Sequence, residues 1–386
     1  MNGNAAGNFD SITGLPIEGD SALSTYIISF KNDAYGNFSD KASNLLQELG
    51  VNVSQANARS LDALQLLIVD LPDIAAEKLA QRADLLVEAD QEVSISAPPP
   101  GKGPNKDPDG GDGGDGGGGS GQLTVWNNSV NPLLENPGWN VTPSDKRIFI
   151  LDTGISTNTG DLNIDESVSA DFTGSSRKVT WRDQNGHGTH VAGTAAAVND
   201  NDGIAGIAAG ATVVSVKVLD RRGSGTLSGV LSGINHVALF GKPGDVANLS
   251  LGLNGVSETF DNAIKSAAQK GILFAVAAGN DGSLASNYSP ATAANGVDVH
   301  AIAAHDVNGN FAGFSNYGSP VQFSAPGVDI ASLGINGSIV IYSGTSMATP
   351  AAAGQLYLTG NLEGINQILS PAGYLTEIQI PSGFFA

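Results

Sequence analysis

The chain has no cysteine among its 386 residues. Disulfides, thiolate nucleophiles and thiolate metal sites are therefore excluded, and the composition does not report the redox state of the compartment. Basic residues are also scarce: 18 Lys and Arg stand against 38 Asp and Glu, a formal charge of −20. Such a surface repels phosphate backbones and anionic lipid, so nucleic-acid and membrane partners are not expected. Only 15% of residues are charged, so the surface must lean on Asn, Ser, Thr and Gly, and the acidity does not by itself indicate salt adaptation. No apolar run approaches the ~18 residues that a spanning helix needs. Met1 is followed by Asn-Gly-Asn-Ala-Ala-Gly-Asn-Phe-Asp, which has neither the basic nor the apolar region of a secretory signal.

The length suits two domains. Residues 1–23 are rich in Gly, Asn and Ser without a period and read as a mobile arm. Residues 24–97 alternate as β-α-β-β-α-β, a split βαβ unit of ferredoxin-like type. The expected elements are strands at 26–30, 51–56, 64–69 and 85–95. The expected helices are 40–49, with Leu45, Leu46 and Leu49 on one face, and 73–82, with Ile74 and Leu79 turned inward. Residues 98–121 hold 11 Gly and 5 Pro and form a linker. Its Asp residues lack the bidentate Glu of an EF-hand loop, so they are not read as a calcium site. From 122 to 386, near-continuous apolar strands at 147–151, 212–219, 246–251 and 272–278 alternate with helices at 191–198, 226–239 and 261–270. That alternation predicts a parallel sheet covered on both faces.

Three stretches of this second domain carry chemistry. Leu151-Asp152-Thr153-Gly154 follows the first strand; Asn185-Gly186-His187-Gly188-Thr189-His190-Val191-Ala192-Gly193-Thr194 opens a helix; Ser343-Gly344-Thr345-Ser346-Met347-Ala348-Thr349-Pro350 opens another. A hydroxyl becomes a competent nucleophile when an imidazole takes its proton, and the imidazole needs a carboxylate to fix its tautomer and stabilise its cation. Ligands in such folds bind beyond the carboxyl ends of the strands, where Asp152 and Asn280 both fall. The helix expected to start at Ser346 would aim its free N–H groups at the site, with Pro350 in the first turn, where a missing N–H costs little. His187 and His190 face alike, three residues apart, and the residues alone do not choose between them. Neither lies in a Glu-containing zinc motif.

In these stretches and in their Asp, His, Ser order the chain resembles the subtilisin-like serine peptidases, the subtilases. The resemblance covers about 122–360. It implies a three-layer α/β fold and a serine endopeptidase with Asp152, His187 and Ser346 as triad and Asn280 as side-chain oxyanion donor. It implies that 24–97 is an inhibitory propeptide whose tail, Val93-Ser94-Ile95-Ser96-Ala97, enters the cleft, with self-cleavage near Ala97, so that the chain is its own intramolecular inhibitor. Peptide or protein substrates would bind as an added strand between Gly223-Ser224-Gly225 and Ser250-Leu251-Gly252. Leu251, Gly252, Ala277, Ala278 and Gly279 would wall a broad P1 pocket favouring large apolar residues, with no acidic determinant evident.

Structural calcium would be held by Gln122, Asp161, Val198, Asp200, Asp202 and Ile204, oxygen donors from separate segments that suit a hard cation. The resemblance favours secretion, although no signal is visible, and a monomer is expected. Two alternatives use the same residues: an inert subtilase scaffold whose propeptide inhibits other proteases, and a peptide ligase in which an amine resolves the acyl-enzyme. After Gly354 the Gly-containing stretches, Pro371 and Pro381 depart from the family's long helix pair, and the last 30 residues are not set by the resemblance.

Overall fold

A computed structural model describes residues 23–31, 37–49, 57–95, 123–124, 140–141, 144–174, 180–200, 203–362, 364–370 and 372–379. Nearly all of the expected arm, the expected strand at 51–56, the segment Ser96-Ala97 and the linker lie outside the described residues, as do Gln122 and Asp202. The chain divides into two compact units, Met1–Gln91 and Glu92–Ala386.

The first unit runs β1 (Leu23–Phe30), α1 (Phe38–Glu48), β2 (Arg59–Leu61), β3 (Leu66–Pro72), α2 (Asp73–Ala80) and β4 (Leu85–Ala89). Every strand pairing is antiparallel, in the order β2-β3-β1-β4, which is the expected ferredoxin-like arrangement. Asn37 caps α1, its side chain accepting the Asp40 N–H at 2.8 Å. Ile28, Leu67, Val69 and Leu71, alternate positions of the two central strands, pack against Leu45, Leu46, Ala75 and Leu79.

Two expectations fail here. Ile74 is 54% exposed, because Ala75, Ala76 and Leu79 define the buried stripe of α2 and a residue five positions from Leu79 lies about 140° away around the helix. The single strand expected over 85–95 is broken at Asp90-Gln91. Asp90 is a poor strand former, and its carboxylate accepts the Gln91 N–H at 3.1 Å, a local bond that competes with the ladder.

The second unit contains β5 (Glu92–Ile95), β6 (Leu123–Thr124), β7 (Arg147–Asp152), β8 (Asn163–Ile164), β9 (Ala170–Asp171), α3 (His187–Ala196), β10 (Ile204–Ala205), β11 (Thr212–Lys217), β12 (Ser224–Thr226) and α4 (Leu227–Phe240). It continues with β13 (Val246–Leu249), β14 (Leu251–Gly252), α5 (Glu258–Ala268), β15 (Leu273–Ala277), β16 (Val299–His305), β17 (Val321–Pro326), β18 (Ile330–Leu333), β19 (Ile339–Tyr342), α6 (Thr345–Thr359), β20 (Gly364–Leu369) and β21 (Leu375–Gln379).

The main sheet has the order β20-β21-β17-β16-β15-β13-β7-β11-β8, with β9 also on β11; only the β20–β21 pair is antiparallel. Helices α3 and α6 pack on one face and α4 and α5 on the other, so the central strands are apolar throughout; Ile148 to Leu151 of β7 are all fully buried. This is the three-layer α/β fold expected. At the C-terminus α6 continues through Gly354 to Thr359, Gly360 (φ +73°) ends it in the left-handed region, and β20 and β21 extend the sheet edge.

Candidate active site

Asp152 is the last residue of β7 and His187 the first of α3. Their contact is close: His187 Nδ1 lies 2.8 Å and 3.0 Å from the two Asp152 carboxylate oxygens. It is possible because Gly188 lets the helix touch the strand end; a Cβ there would stand 2.2 Å from the Gly154 carbonyl oxygen. Burial pushes the His187 imidazole down, but the charge and hydrogen bond of Asp152, with Asp183 adding to them, outweigh burial and raise its pKa above the usual 6.5. The carboxylate thereby selects the tautomer with the proton on Nδ1, which leaves Nε2 free to accept one.

Asp183 escaped the sequence reading. It accepts the N–H groups of Asn185 at 2.8 Å, Gly186 at 3.0 Å and Thr189 at 3.0 Å, and the hydroxyls of Thr153 at 3.0 Å and Thr189 at 2.6 Å. One buried carboxylate thus ties the start of α3 to the end of β7. Lys217, on β11 opposite Asp152, is buried too; its ammonium donates to the Thr153 carbonyl, and burial lowers its pKa although Asp183, Asp171 and Asp152 pull the other way. His190 turns from the site: its Nε2 bonds the Ile330 carbonyl at 2.9 Å, its ring stacks on Tyr342, and burial holds it neutral with a pKa of about 3.

Ser346 reaches the same edge from the far side. Leu249 of β13 pairs with Leu151, which puts Ser250 level with Asp152, and the Ser346 hydroxyl donates to the Ser250 carbonyl at 3.1 Å. The helix begins one residue earlier than the sequence reading had it, at Thr345. Pro350, the sixth helical residue, sits in the second turn, as it also would counted from Ser346, and there its missing N–H does remove a helical bond.

Asn280 follows β15, and its Oδ1 accepts the Thr345 N–H at 2.8 Å, which leaves its Nδ2 as the donor end. Asn316, also missed, fixes that turn: its Oδ1 accepts from Asp281 at 3.0 Å and Ser283 at 3.1 Å, and its Nδ2 donates to the Ala278 carbonyl at 3.0 Å. Gly279 (φ +102°) allows the approach, since a Cβ would lie 2.3 Å from Asn316 Nδ2.

Residues 92–95 complete the site. β5 is the middle strand of a three-stranded antiparallel sheet between β12 and β14, pairing Ser94 with Ser224, Val93 with Gly225, Ile95 with Leu251 and Ser94 with Gly252. The Ile95 N–H donates to the Gly223 carbonyl at 2.9 Å. Both edges named from the sequence therefore hold one extended segment of the chain itself.

Residues 145–369, more than half of the chain, match the family model described as the subtilase family. The chain belongs to the subtilases. Subtilisin-like protease 2 of Pseudogymnoascus destructans is 41% identical over 238 residues, 61% of this chain and 56% of that protein. The thermostable alkaline protease of Halalkalibacterium halodurans is 44% identical over 208 residues, 54% and 55% of the two chains. Subtilisin Savinase of Lederbergia lenta is 42% identical over 223 residues, 58% and 78%. The matched part thus spans little more than half the length of the first two relatives.

In this subtilase the residues expected to wall P1, Leu251, Gly252, Ala277, Ala278 and Gly279, line one cavity together with Asn254, Asp281 and Tyr288. Asp281 is an acidic lining group that was not expected, because it follows Asn280 in sequence and the turn carries it back to the cavity. Of the expected calcium ligands, Asp161, Val198, Asp200 and Ile204 are described. The Val198 N–H donates to the Asp161 carbonyl at 3.1 Å, and a Cβ at Gly203 would lie 3.6 Å from Asp161 Oδ2. Asn140 clamps the intervening loop through Asn199 N–H at 2.8 Å and the Asn199 carbonyl at 2.9 Å.

Proposed function

We propose that this subtilase is a serine endopeptidase made as a self-inhibited zymogen. The observation that carries this is β5: a segment of the chain lies as an added strand between the two edges that flank the buried Asp152–His187 pair and the Ser346 hydroxyl. An extended peptide would bind there by the same main-chain bonds. Continuing the β14 register by one residue brings a substrate N–H to the Ser250 carbonyl, which takes that acceptor from the Ser346 hydroxyl. The freed Oγ then attacks the substrate carbonyl while His187 Nε2 takes its proton and Asp152 stabilises the imidazolium. The Ser346 N–H and Asn280 Nδ2 receive the developing oxyanion. Collapse expels the amine, which receives the proton from His187; a water activated in the same way hydrolyses the acyl-enzyme.

Residues 24–97 act as the inhibitory propeptide, β5 being the part of it that occupies the cleft. The pocket is broad and takes large apolar P1 residues. Calcium fits the loop after α3: a hard cation takes oxygen ligands, and the Asp161 carboxylate beside Gly203, with Asp200 and the carbonyls of Val198 and Ile204, offers such donors. Among the described residues no three His, Cys, Asp or Glu side chains converge, so main-chain oxygens would supply most of the shell. The ion would contribute to stability, away from the reacting atoms.

The test is mass spectrometry of the purified chain beside its Ser346→Ala variant, with hydrolysis of a peptide anilide bearing a large apolar P1 residue. Self-cleavage and hydrolysis in the wild type only are expected. Activity of Ser346→Ala within about tenfold of wild type would sink the assignment.

A further inference from the structure

The Ser346 carbonyl is buried in the second position of α6, and in a regular helix it would accept the N–H of residue 350. Residue 350 is proline. It has no N–H, and its ring crowds the carbonyl four residues back. A buried carbonyl without a partner is costly, so something else must donate to it. That donor is the Ser250 hydroxyl, 2.9 Å from the Ser346 carbonyl oxygen. The hydroxyl is itself oriented: Asn248 on β13, fully buried, donates its Nδ2 to Ser250 Oγ at 3.0 Å, so the hydrogen of Ser250 is directed to Ser346. The resulting relay, Asn248 to Ser250 to Ser346, runs from a central strand of the sheet to the main chain of the nucleophile.

We propose that the Ser250 side chain is a positioning residue for the hydrolytic reaction, substituting for the helical hydrogen bond that Pro350 removes and thereby fixing the backbone of Ser346. This rests on Ser346 being the nucleophile. The backbone of Ser346 sets both reacting features of that residue, the direction of its Oγ and the placement of its oxyanion-binding N–H. A carbonyl held from outside the helix, by the strand end that also binds substrate, locks these two features to the cleft. Ser250 therefore acts twice through different atoms: its carbonyl meets the Ser346 hydroxyl at 3.1 Å and its hydroxyl meets the Ser346 carbonyl.

A double-mutant cycle tests the relation, because Pro350→Ala restores an N–H at the position that Ser250 serves. Ser250→Ala alone should lower kcat, and the rate at which a fluorophosphonate labels Ser346, by about ten- to a hundredfold with KM within about twofold. In the Pro350→Ala background the same change should cost less than about threefold. Thermal melts of all four forms, made in a Ser346→Ala chain to prevent self-digestion, should show the same non-additivity. A Ser250→Ala chain that folds only when Pro350→Ala accompanies it supports the assignment.

Undiminished kcat in Ser250→Ala, equal losses in both backgrounds, or failure of both chains to fold would overturn it. A wild-type chain that neither cleaves peptides nor labels with the fluorophosphonate would refute the endopeptidase assignment instead. The melts then decide the structural relation alone, and additive shifts would end it.

Discussion

Acid should destabilise the Glu92–Ala386 unit well before its carboxylates titrate, and buried histidines are the reason. His190 and His305 are held neutral by burial, with pKa values of about 3 and about 4 against an ordinary 6.5. A histidine with a depressed folded value contributes fully above the unfolded pKa and loses that contribution as pH falls, because the unfolded chain binds protons the folded one refuses. At about pH 5 the unfolded imidazoles are almost entirely charged while both folded ones remain neutral. Each then costs ~2 kcal/mol and the pair roughly 4 kcal/mol relative to pH 7.

His236 and His300, also lowered by burial, act in the same direction. His187 acts oppositely, since its raised value gives stability that is complete at acid pH and disappears as pH rises through the folded pKa. The net effect is a fall in Tm of roughly 5–10 °C between pH 7 and pH 5. The assay is thermal or urea unfolding of the Ser346→Ala chain across that range, repeated with His190→Gln and with His305→Gln. Each variant should lose about 2 kcal/mol of the pH dependence. An unchanged midpoint from pH 7 to pH 5, or variants that retain the full slope, would refute the reasoning.

Other expectations concern the site and its loops. Asn280→Ala should lower kcat by about 10²–10³ with little change in KM, measured on a peptide anilide; a loss below about threefold would remove it from the oxyanion role. Chelation should lower the melting temperature of the wild type, and Asp161→Ala with Asp200→Ala should abolish that sensitivity; identical melts with and without chelator would eliminate the calcium proposal. Self-cleavage should fall near Ala97, and a separately made fragment 22–97 should inhibit the mature enzyme in trans. N-terminal sequencing that places the mature start inside 30–90, or a fragment without inhibition, would overturn the propeptide assignment.

The parts of this molecule that were legible in sequence are those fixed by short-range pattern. The parallel sheet followed from apolar strands alternating with helices, and Asp152, His187, Ser346 and Asn280 stood out because each sits in a short glycine-bearing stretch at a strand or helix end. The two stretches that pair with β5 also stood out, since small residues at 223–225 and 250–252 mark close backbone approach. What stayed hidden depends on partners distant in sequence.

Asp183 could have been noticed as an acidic residue just before the His187 helix, a capping signal, but its bonds to Thr153 were not foreseeable. Asn316 lies 36 residues beyond Asn280 and carried no local sign of its task. Pro350 was misplaced by counting: even from Ser346 it is the fifth helical residue, whose N–H would bond the Ser346 carbonyl, so it needs an outside donor wherever the helix begins. Ile74 is apolar but lies outside the stripe of Ala75, Ala76 and Leu79 that α2 buries, so apolar character alone does not place it in the core.

If the proposed endopeptidase activity holds, the shortness of the edges on either side of β5 has a consequence for what the cleft would digest. β12 has three residues and β14 two, and neither can unwind structure in a visiting protein. A target segment must come already extended, with its own backbone hydrogen bonds surrendered to solvent, for a run comparable to the four residues of β5. When opening and closing of the target are fast relative to scission, the rate of digestion is then governed by the free energy of local opening in the victim. Rigid neighbours in the same solution, this chain's own folded sheet included, would be spared by their stability, whatever side chain they could offer to the proposed P1 pocket.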